Sequence, residues 1–172
     1  MRLLAKTLLL CAAVAVAGTA GARSSDRNQP MDIEANHQDC GLGDNSQCIL
    51  TGNVLITQGS LNINAAKAVI DQSNGDPNRA LLTGSPVVLK QTMDDGTPMT
   101  ARAGNVDYNL QTEIVVFTGN VSIEQPRGTM SGQRVVYNLK TGRVDSGGDA
   151  GGRVKMRIVP KSAGAAPAQA KP

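Results

Sequence analysis

"TGNVLITQ", Thr51 to Gln58, is written again as "TGNVSIEQ", Thr118 to Gln125. A third Thr-Gly pair opens "TGSPVVLK" at Thr83, so the marker recurs at intervals of 32 and 35 residues. A second phrase interleaves with it, an apolar, a polar and then a small residue: Ile33-Glu34-Ala35, Ile63-Asn64-Ala65, Met99-Thr100-Ala101 and Met130-Ser131-Gly132, at intervals of 30, 36 and 31. Two markers sharing a period of about 33 residues identify an internal repeat, which no unit can bury alone and which must stack on its neighbours. Inside each unit the apolar residues stand two apart: Val54 and Ile56, Val87 and Leu89, Val121 and Ile123. That spacing puts them on one face of a strand.

Working outward, "RVKMRI" (153–158) alternates throughout, with Val154, Met156 and Ile158 on one face and Arg153, Lys155 and Arg157 on the other. Turn formers separate the runs: "SNGDPN" (73–78), "DDGTP" (94–98), "KTG" (140–142) and "SGGDAGG" (146–152). "NAAKAVID" (64–71) has a helical look, but it aligns with "SGQRVVYN" (131–138), whose β-branched and aromatic residues favour strand. Thr-Gly is expected at a bend or bulge, because glycine tolerates backbone angles that a side chain resists. The prediction is an elongated all-β body of short antiparallel strands. Alternating apolar residues describe an ordinary core equally well, so periodicity leaves open whether the interior holds a ligand.

The first residues read differently. "MRLLAKTLLLCAAVAVAGTAGA" has a basic start at Arg2 and Lys6, an apolar run from Leu8 to Ala17 and a small-residue close. That is the layout of a secretory signal peptide cut after Ala22. The run is shorter than the roughly 20 residues that span a bilayer. Leu10 is too bulky before Cys11 for lipoprotein processing. The expected organisation is signal peptide 1–22, linker 23–29, domain 30–160 and a low-complexity, disordered tail 161–172, in a soluble exported chain. In an oxidising compartment Cys40 and Cys48, separated by "GLGDNSQ", are expected to form a disulfide closing a hairpin tip. A redox or metal pair is disfavoured because the spacing is not C-x-x-C and His37 is the sole histidine, expected on the surface.

Charge and composition exclude several classes. Residues 23–126 carry six Lys/Arg against twelve Asp/Glu, and residues 127–172 carry nine against two. An acidic front and a basic back suit head-to-tail association or a phosphate-bearing ligand, and most individual charges read as plain solvated surface. The chain has no Trp, one Phe (Phe117) and two Tyr (Tyr108 and Tyr137). It therefore lacks the stacking platforms of sugar binders and single-strand nucleic-acid binders, and no nucleic-acid partner is expected. No Ser-His-Asp set, phosphate loop or metal-ligand cluster is written in the sequence. The acids Asp94 and Asp95 fall in a turn. No enzyme activity, cofactor or metal is expected.

Four segments, "QPMDIEA" (29–35), "TGNVLITQGSLNINAAKAVI" (51–70), "MDDGTPMTARAGNVDYNLQTEIVVFTGNVSIEQ" (93–125) and "RVKMRIVP" (153–160), resemble the OstA-like family of periplasmic lipopolysaccharide transport proteins. The cysteine pair in "QDCGLGDNSQC" (38–48) departs from the general pattern. The resemblance implies a β-jelly roll of two sheets, slightly splayed and open at both ends. It implies a periplasmic bridge that carries lipopolysaccharide from the inner to the outer membrane and assembles head-to-tail with itself. The N-terminal edge (Pro30, Met31, Asp32, Ile33, Glu34) would meet an inner-membrane-anchored partner of the same fold (LptC-like). The C-terminal edge (Arg153, Val154, Lys155, Met156, Arg157, Ile158) would meet the periplasmic domain of the outer-membrane translocon (LptD-like).

Acyl chains would lie along Ile33, Val54, Ile56, Ile63, Leu89, Met99, Val121, Ile123 and Met130, with Ala35, Ala65, Ala101 and Gly132 leaving width. Lys67 and Arg134, at equivalent repeat positions, stand as headgroup contacts or as plain solvated charges. Full burial of a fourteen-carbon chain at about 0.8 kcal/mol per methylene would hold it by roughly 10 kcal/mol, so a carrier must shield its cargo only partly. The competing reading is a structural β-filament of the periplasm with a dry core.

Overall fold

The computed structural model describes residues 26–147 and 152–160. The expected signal peptide, the start of the linker (23–25), part of the last turn (148–151) and the tail 161–172 lie outside them. A short 3-10 turn at Asp26–Asn28 precedes the strands β1 (Met31–Glu34), β2 (His37–Cys40), β3 (Gln47–Gln58), β4 (Leu61–Ser73), β5 (Asp76–Thr92), β6 (Pro98–Asn109), β7 (Ile114–Gln125), β8 (Gly128–Asn138), β9 (Arg143–Ser146) and β10 (Lys155–Ile158). All belong to one antiparallel sheet of order β1-β3-β4-β5-β6-β7-β8-β10, with β2 on β3 and β9 on β8. The edge strands do not pair with each other, so the sheet is not closed into a barrel. The segment 64–71 is strand, as its alignment with 131–138 required.

The sequence suggested short strands, but β3 to β8 are 11 to 17 residues long. Each runs unbroken through a break in register. The breaks fall between Thr51 and Val54, Asn64 and Lys67, Thr83 and Val87, Arg102 and Asn105, and Thr118 and Val121. They line up across the sheet. Thr51, Lys67, Thr83, Asn105, Thr118 and Arg134 are successive cross-strand partners, so all three Thr-Gly threonines stand in one rung. Gly52 and Gly119 take φ of 77° and 80°, followed by Asn53 and Asn120 at 49° and 50°. Two successive left-handed residues explain why the phrase is Thr-Gly-Asn: glycine and asparagine enter that region most readily.

The second phrase needs a correction. Val54 faces Ala65, Val87 faces Ala103, and Val121 faces Gly132. The structural equivalent of Ile63-Asn64-Ala65 is thus Ala101-Arg102-Ala103, two residues later than Met99-Thr100-Ala101. A slip of two preserves the inward face, so face periodicity cannot detect it.

The line of breaks is a crease. On one side β1 and β10 flank the six long strands, and on the other β2 and β9 do. The same face is apolar throughout, and its residues form one buried cluster. No helix or second sheet covers that face among the described residues. It is buried because the sheet bends at the crease and its two halves face each other. Tyr137 in the β9 half reaches Met93 at the tip of the β10 half, hydroxyl to sulfur 3.5 Å. Small residues at Ala65, Ala103 and Gly132 alternate with valines along the inside of the bend, where two large rows would collide.

The expected disulfide forms: Cys40 and Cys48 are direct partners on β2 and β3. It closes a loop of sequence separation 8. Replacing both cysteines by serine is expected to cost about 2 kcal/mol, read as a lower urea midpoint with unchanged slope. At the other end of β3 the 3-10 turn docks through the buried Asp26, whose carboxylate accepts the Ser60 hydroxyl. Ser60 Oγ in turn accepts the Thr92 backbone N–H at 3.1 Å.

Candidate binding trough and edge strands

The interior is built from two continuous inward rungs. In the half flanked by β1 and β10, Ile33, Ile56, Ile63, Leu89, Ala101, Ile123, Met130 and Met156 are successive cross-strand partners from edge to edge. Seven of these are residues the sequence placed in the groove, and the eighth comes from the C-terminal edge. In the half flanked by β2 and β9, Leu50, Ala68, Leu82, Val106, Phe117 and Val135 form the facing rung. Along the middle these side chains fill the space between the halves: Val54, Ile63, Leu89, Met99, Ala101 and Val121 are all 2% exposed or less. Ala65 and Ile123 are also buried, while Ile33, Ala35 and Met130 are half-buried against the same core. Gly132 lies at the crease.

The two ends of the trough differ. Near β1 the halves meet closely, with Met31, Ile33, Ile56 and Ile63 against Ile70, Ala80, Leu82 and Tyr108 around about 10 Å³ of space. Near β10 they part around a cavity of about 210 Å³. Its walls are Met93, Met99, Ile123, Met130, Met156 and Ile158 from one half and Tyr137 and Val144 from the other. Methionine is unbranched and polarisable, suited to an apolar surface that must fit irregular contents. A dry cavity of about 150 Å³ takes one benzene. The space thus suits one short length of hydrocarbon, and whole chains require the halves to part further.

Both edges expose strand. On β1, Asp32 and Glu34 point to solvent and Met31 and Ile33 point inward; Pro30 precedes the strand. On β10, Lys155 and Arg157 point to solvent, while Met156 and Ile158 remain 62% and 68% exposed for want of a covering strand. Arg153 and Val154, expected in this strand, precede it. Lys67 and Arg134 are exposed on the outer side of the crease, away from the interior. His37 is exposed on β2. Two diagonal ion pairs brace the outer face, Arg79–Asp107 at 2.7 Å and Arg102–Glu124 at 2.8 Å. The hydrogen bond from Arg79 holds the Asp107 carboxyl below its ordinary range against the opposing effect of burial.

Sequence reasoning put Val87 on the apolar face with Leu89 but left it out of the groove, and it missed Ala103, Met93, Tyr137 and Val144 as interior residues. Ala103 was legible in the alternation, but the two-residue slip hid it. Met93 and Val144 sit beside turns, where periodicity is too short to assign a face. Tyr137 carried no signal that it would meet the opposite half.

Known proteins match this chain. The family model described as LptA/(LptD N-terminal domain) LPS transport protein matches residues 32–143. The lipopolysaccharide export system protein LptA of Escherichia coli K12 is 32% identical over 176 residues, covering 98% of this chain and 92% of that protein. LptA of Haemophilus influenzae is 31% identical over 158 residues, covering 90% and 91%. The crystal structure of Pseudomonas aeruginosa LptH, described as the LptA-homologous periplasmic component of a lipopolysaccharide transport device, superposes with a TM-score of 0.72 at 23% identity, covering 79% of this chain and 99% of that one. The bent, unclosed sheet with its apolar interior is therefore that of a known architecture, and the chain belongs to the family of LptA and LptD N-terminal lipopolysaccharide transport proteins.

Proposed function

We propose that this protein is a non-catalytic periplasmic component of lipopolysaccharide transport, which shelters acyl chains between its two half-sheets and joins same-fold neighbours through its edge strands. The observation that carries this reading is the rung from Ile33 to Met156, apolar on every strand and uncovered at its β10 end. A structural filament with a dry core needs no widening cavity at one edge and no methionine lining.

Cargo enters by replacing contacts between the halves. The crease acts as the hinge, and the tips carrying Met93 and Tyr137 are the part that opens. Each partner would add a strand: an LptC-like protein at β1 and an LptD-like domain at β10. Main-chain hydrogen bonds supply affinity, and alternate side chains supply specificity. An exposed edge is an aggregation hazard in most proteins, and here it is the working surface.

The test is photo-crosslinking in cells from a benzophenone amino acid placed singly at Ile33, Ile123 or Ser122. Ile33 and Ile123 face the trough, and Ser122 on the same strand as Ile123 faces away. Lipopolysaccharide adducts are expected at Ile33 and Ile123 and at least tenfold fewer at Ser122. Equal labelling at all three, or none at the inward pair, would overturn the reading.

A further inference from the structure

The cavity beside β10 continues into a second space at the tip of the same half-sheet. That outer groove measures about 430 Å³ and lies between the β5–β6 turn and the β7–β8 turn. Met93, Gln125, Arg127 and Ile158 line both spaces, so the two form one connected site. Its inner part is walled mainly by methionine and aliphatic side chains, and its outer part adds Asp95 and Thr97. Both turns are pinned. The Met93 N–H donates to the Thr97 carbonyl at 2.8 Å and the Gly96 N–H to the Met93 carbonyl at 2.9 Å, while the Val159 N–H donates to the Arg127 carbonyl at 2.9 Å. The end of the interior near β1 is closed, and no charged residue lines it.

The charges of this site are unbalanced. Arg127 and Arg157 border it against one carboxylate, that of Asp95. Arg127 is exposed, and the ion pairs among the described residues join other side chains. A guanidinium with no carboxylate partner matches the planar, two-point demand of a phosphate. Asp95 accepts the Thr97 backbone N–H at 2.8 Å, which holds its carboxyl below the ordinary range and keeps it ionised. A bare anion is repelled there, so a fitting ligand also presents a donor. The Gln125 amide offers both a donor and an acceptor, a pair that hydroxyl groups satisfy and an ammonium does not.

We propose that this site takes the head of an acylated, phosphorylated sugar, with the phosphate on Arg127, sugar hydroxyls on Asp95 and Gln125, and the acyl chain passing between Met93 and Ile158 into the methionine cavity. The proposal deepens the acyl-sheltering reading of the interior and rests on it. The chain has no tryptophan to stack on a sugar ring, so polar contacts orient the head and hydrocarbon supplies the affinity. Because Arg127 is exposed, the charged head stays in water while only the chain is buried. The ligand then enters and leaves without losing the hydration of its charge. The site also sets the ligand's direction, head at the tip of the β10 half and tail toward the crease.

The experiment uses the mature full chain with its disulfide formed and three probes that dissolve as monomers: a short-chain N-acyl glucosamine phosphate, the same molecule without its phosphate, and a short-chain phosphatidylethanolamine. Dissociation constants are read by isothermal titration. Arg127→Gln is expected to weaken the phosphosugar about tenfold, the worth of one charge-assisted contact, and the phosphate-free sugar less than about twofold, with an unchanged melting temperature. Val144→Asp, which sets a carboxylate in the cavity wall, is expected to weaken all three probes. Equal effects of Arg127→Gln on the two sugars would overturn the head site while leaving the acyl shelter intact. Phosphatidylethanolamine binding as tightly as the phosphosugar would overturn the sugar assignment, and binding unmoved by Val144→Asp would place the probes outside the cavity and overturn the site. No binding of any probe to the wild-type chain would overturn both this site and the acyl-sheltering reading.

Discussion

Glutamate at both Lys155 and Arg157 is expected to leave the protein folded but monomeric. Both side chains are exposed on an edge strand, so the fold loses little by their reversal. Assembly loses more. Asp32 and Arg157 end one cross-strand row of the sheet and Glu34 and Lys155 another, so where β10 of one copy continues onto β1 of the next, each reversal replaces a directly opposed acid–base pair with two carboxylates. Such pairs contribute up to about 1 kcal/mol, and like charges cost similar amounts, so reversing two should remove about 3 kcal/mol. That corresponds to more than a hundredfold in dissociation constant. Sedimentation velocity at low salt should show the stack collapse to single copies with an unchanged melting temperature. Lysine at Asp32 and Glu34 in the same chain should restore assembly, because opposition returns with the signs exchanged. Failure of that rescue, with each double variant folded, would reject this register. Raising the salt should narrow the difference between wild type and variant, since these charges sit in solvent.

The second large effect lies in the fold. Phe117→Ala is expected to cost about 3–5 kcal/mol, as large aromatic truncations in cores do. Phe117 is the only phenylalanine in a chain without tryptophan, and it is 0% exposed. Its cross-strand partners are Val106 and Val135, both buried, so the vacated volume has stiff neighbours that cannot collapse into it. Domains of this size are stable by roughly 5–15 kcal/mol, so this one change removes a large fraction of the total. A thermal melt should fall by about 9–25 °C, at roughly 3–5 °C per kcal/mol. Phe117→Leu should lose less than half as much. A shift under 3 °C for the alanine variant would mean that the half-sheets do not bury this residue between them.

These two expectations separate the surfaces of the molecule. The edge variant tests association without touching the interior, and the core variant tests the interior without touching an edge. The crosslinking from Ile33, Ile123 and Ser122 then asks whether the interior that Phe117 stabilises is also the one that opens to lipid.

Much was local and therefore readable from the chain alone. Valine and isoleucine two apart in Val54–Ile56 and Val121–Ile123 set which face turns inward, because successive side chains of a strand alternate by geometry. Thr-Gly marked the bulge because glycine accepts the left-handed angles that Gly52 and Gly119 take, while the part played by Asn53 and Asn120 emerged only in the fold. The Cys40–Cys48 pairing followed from a short, turn-rich loop between two cysteines. Tertiary structure alone decided the rest. It chose Ala103 over Ala101 as the crease residue, because a two-residue slip changes no face and only neighbouring strands can choose between registers. It also decided that the interior is filled in the middle and parts near β10, because the width of a trough is set by side-chain volumes contributed from both halves.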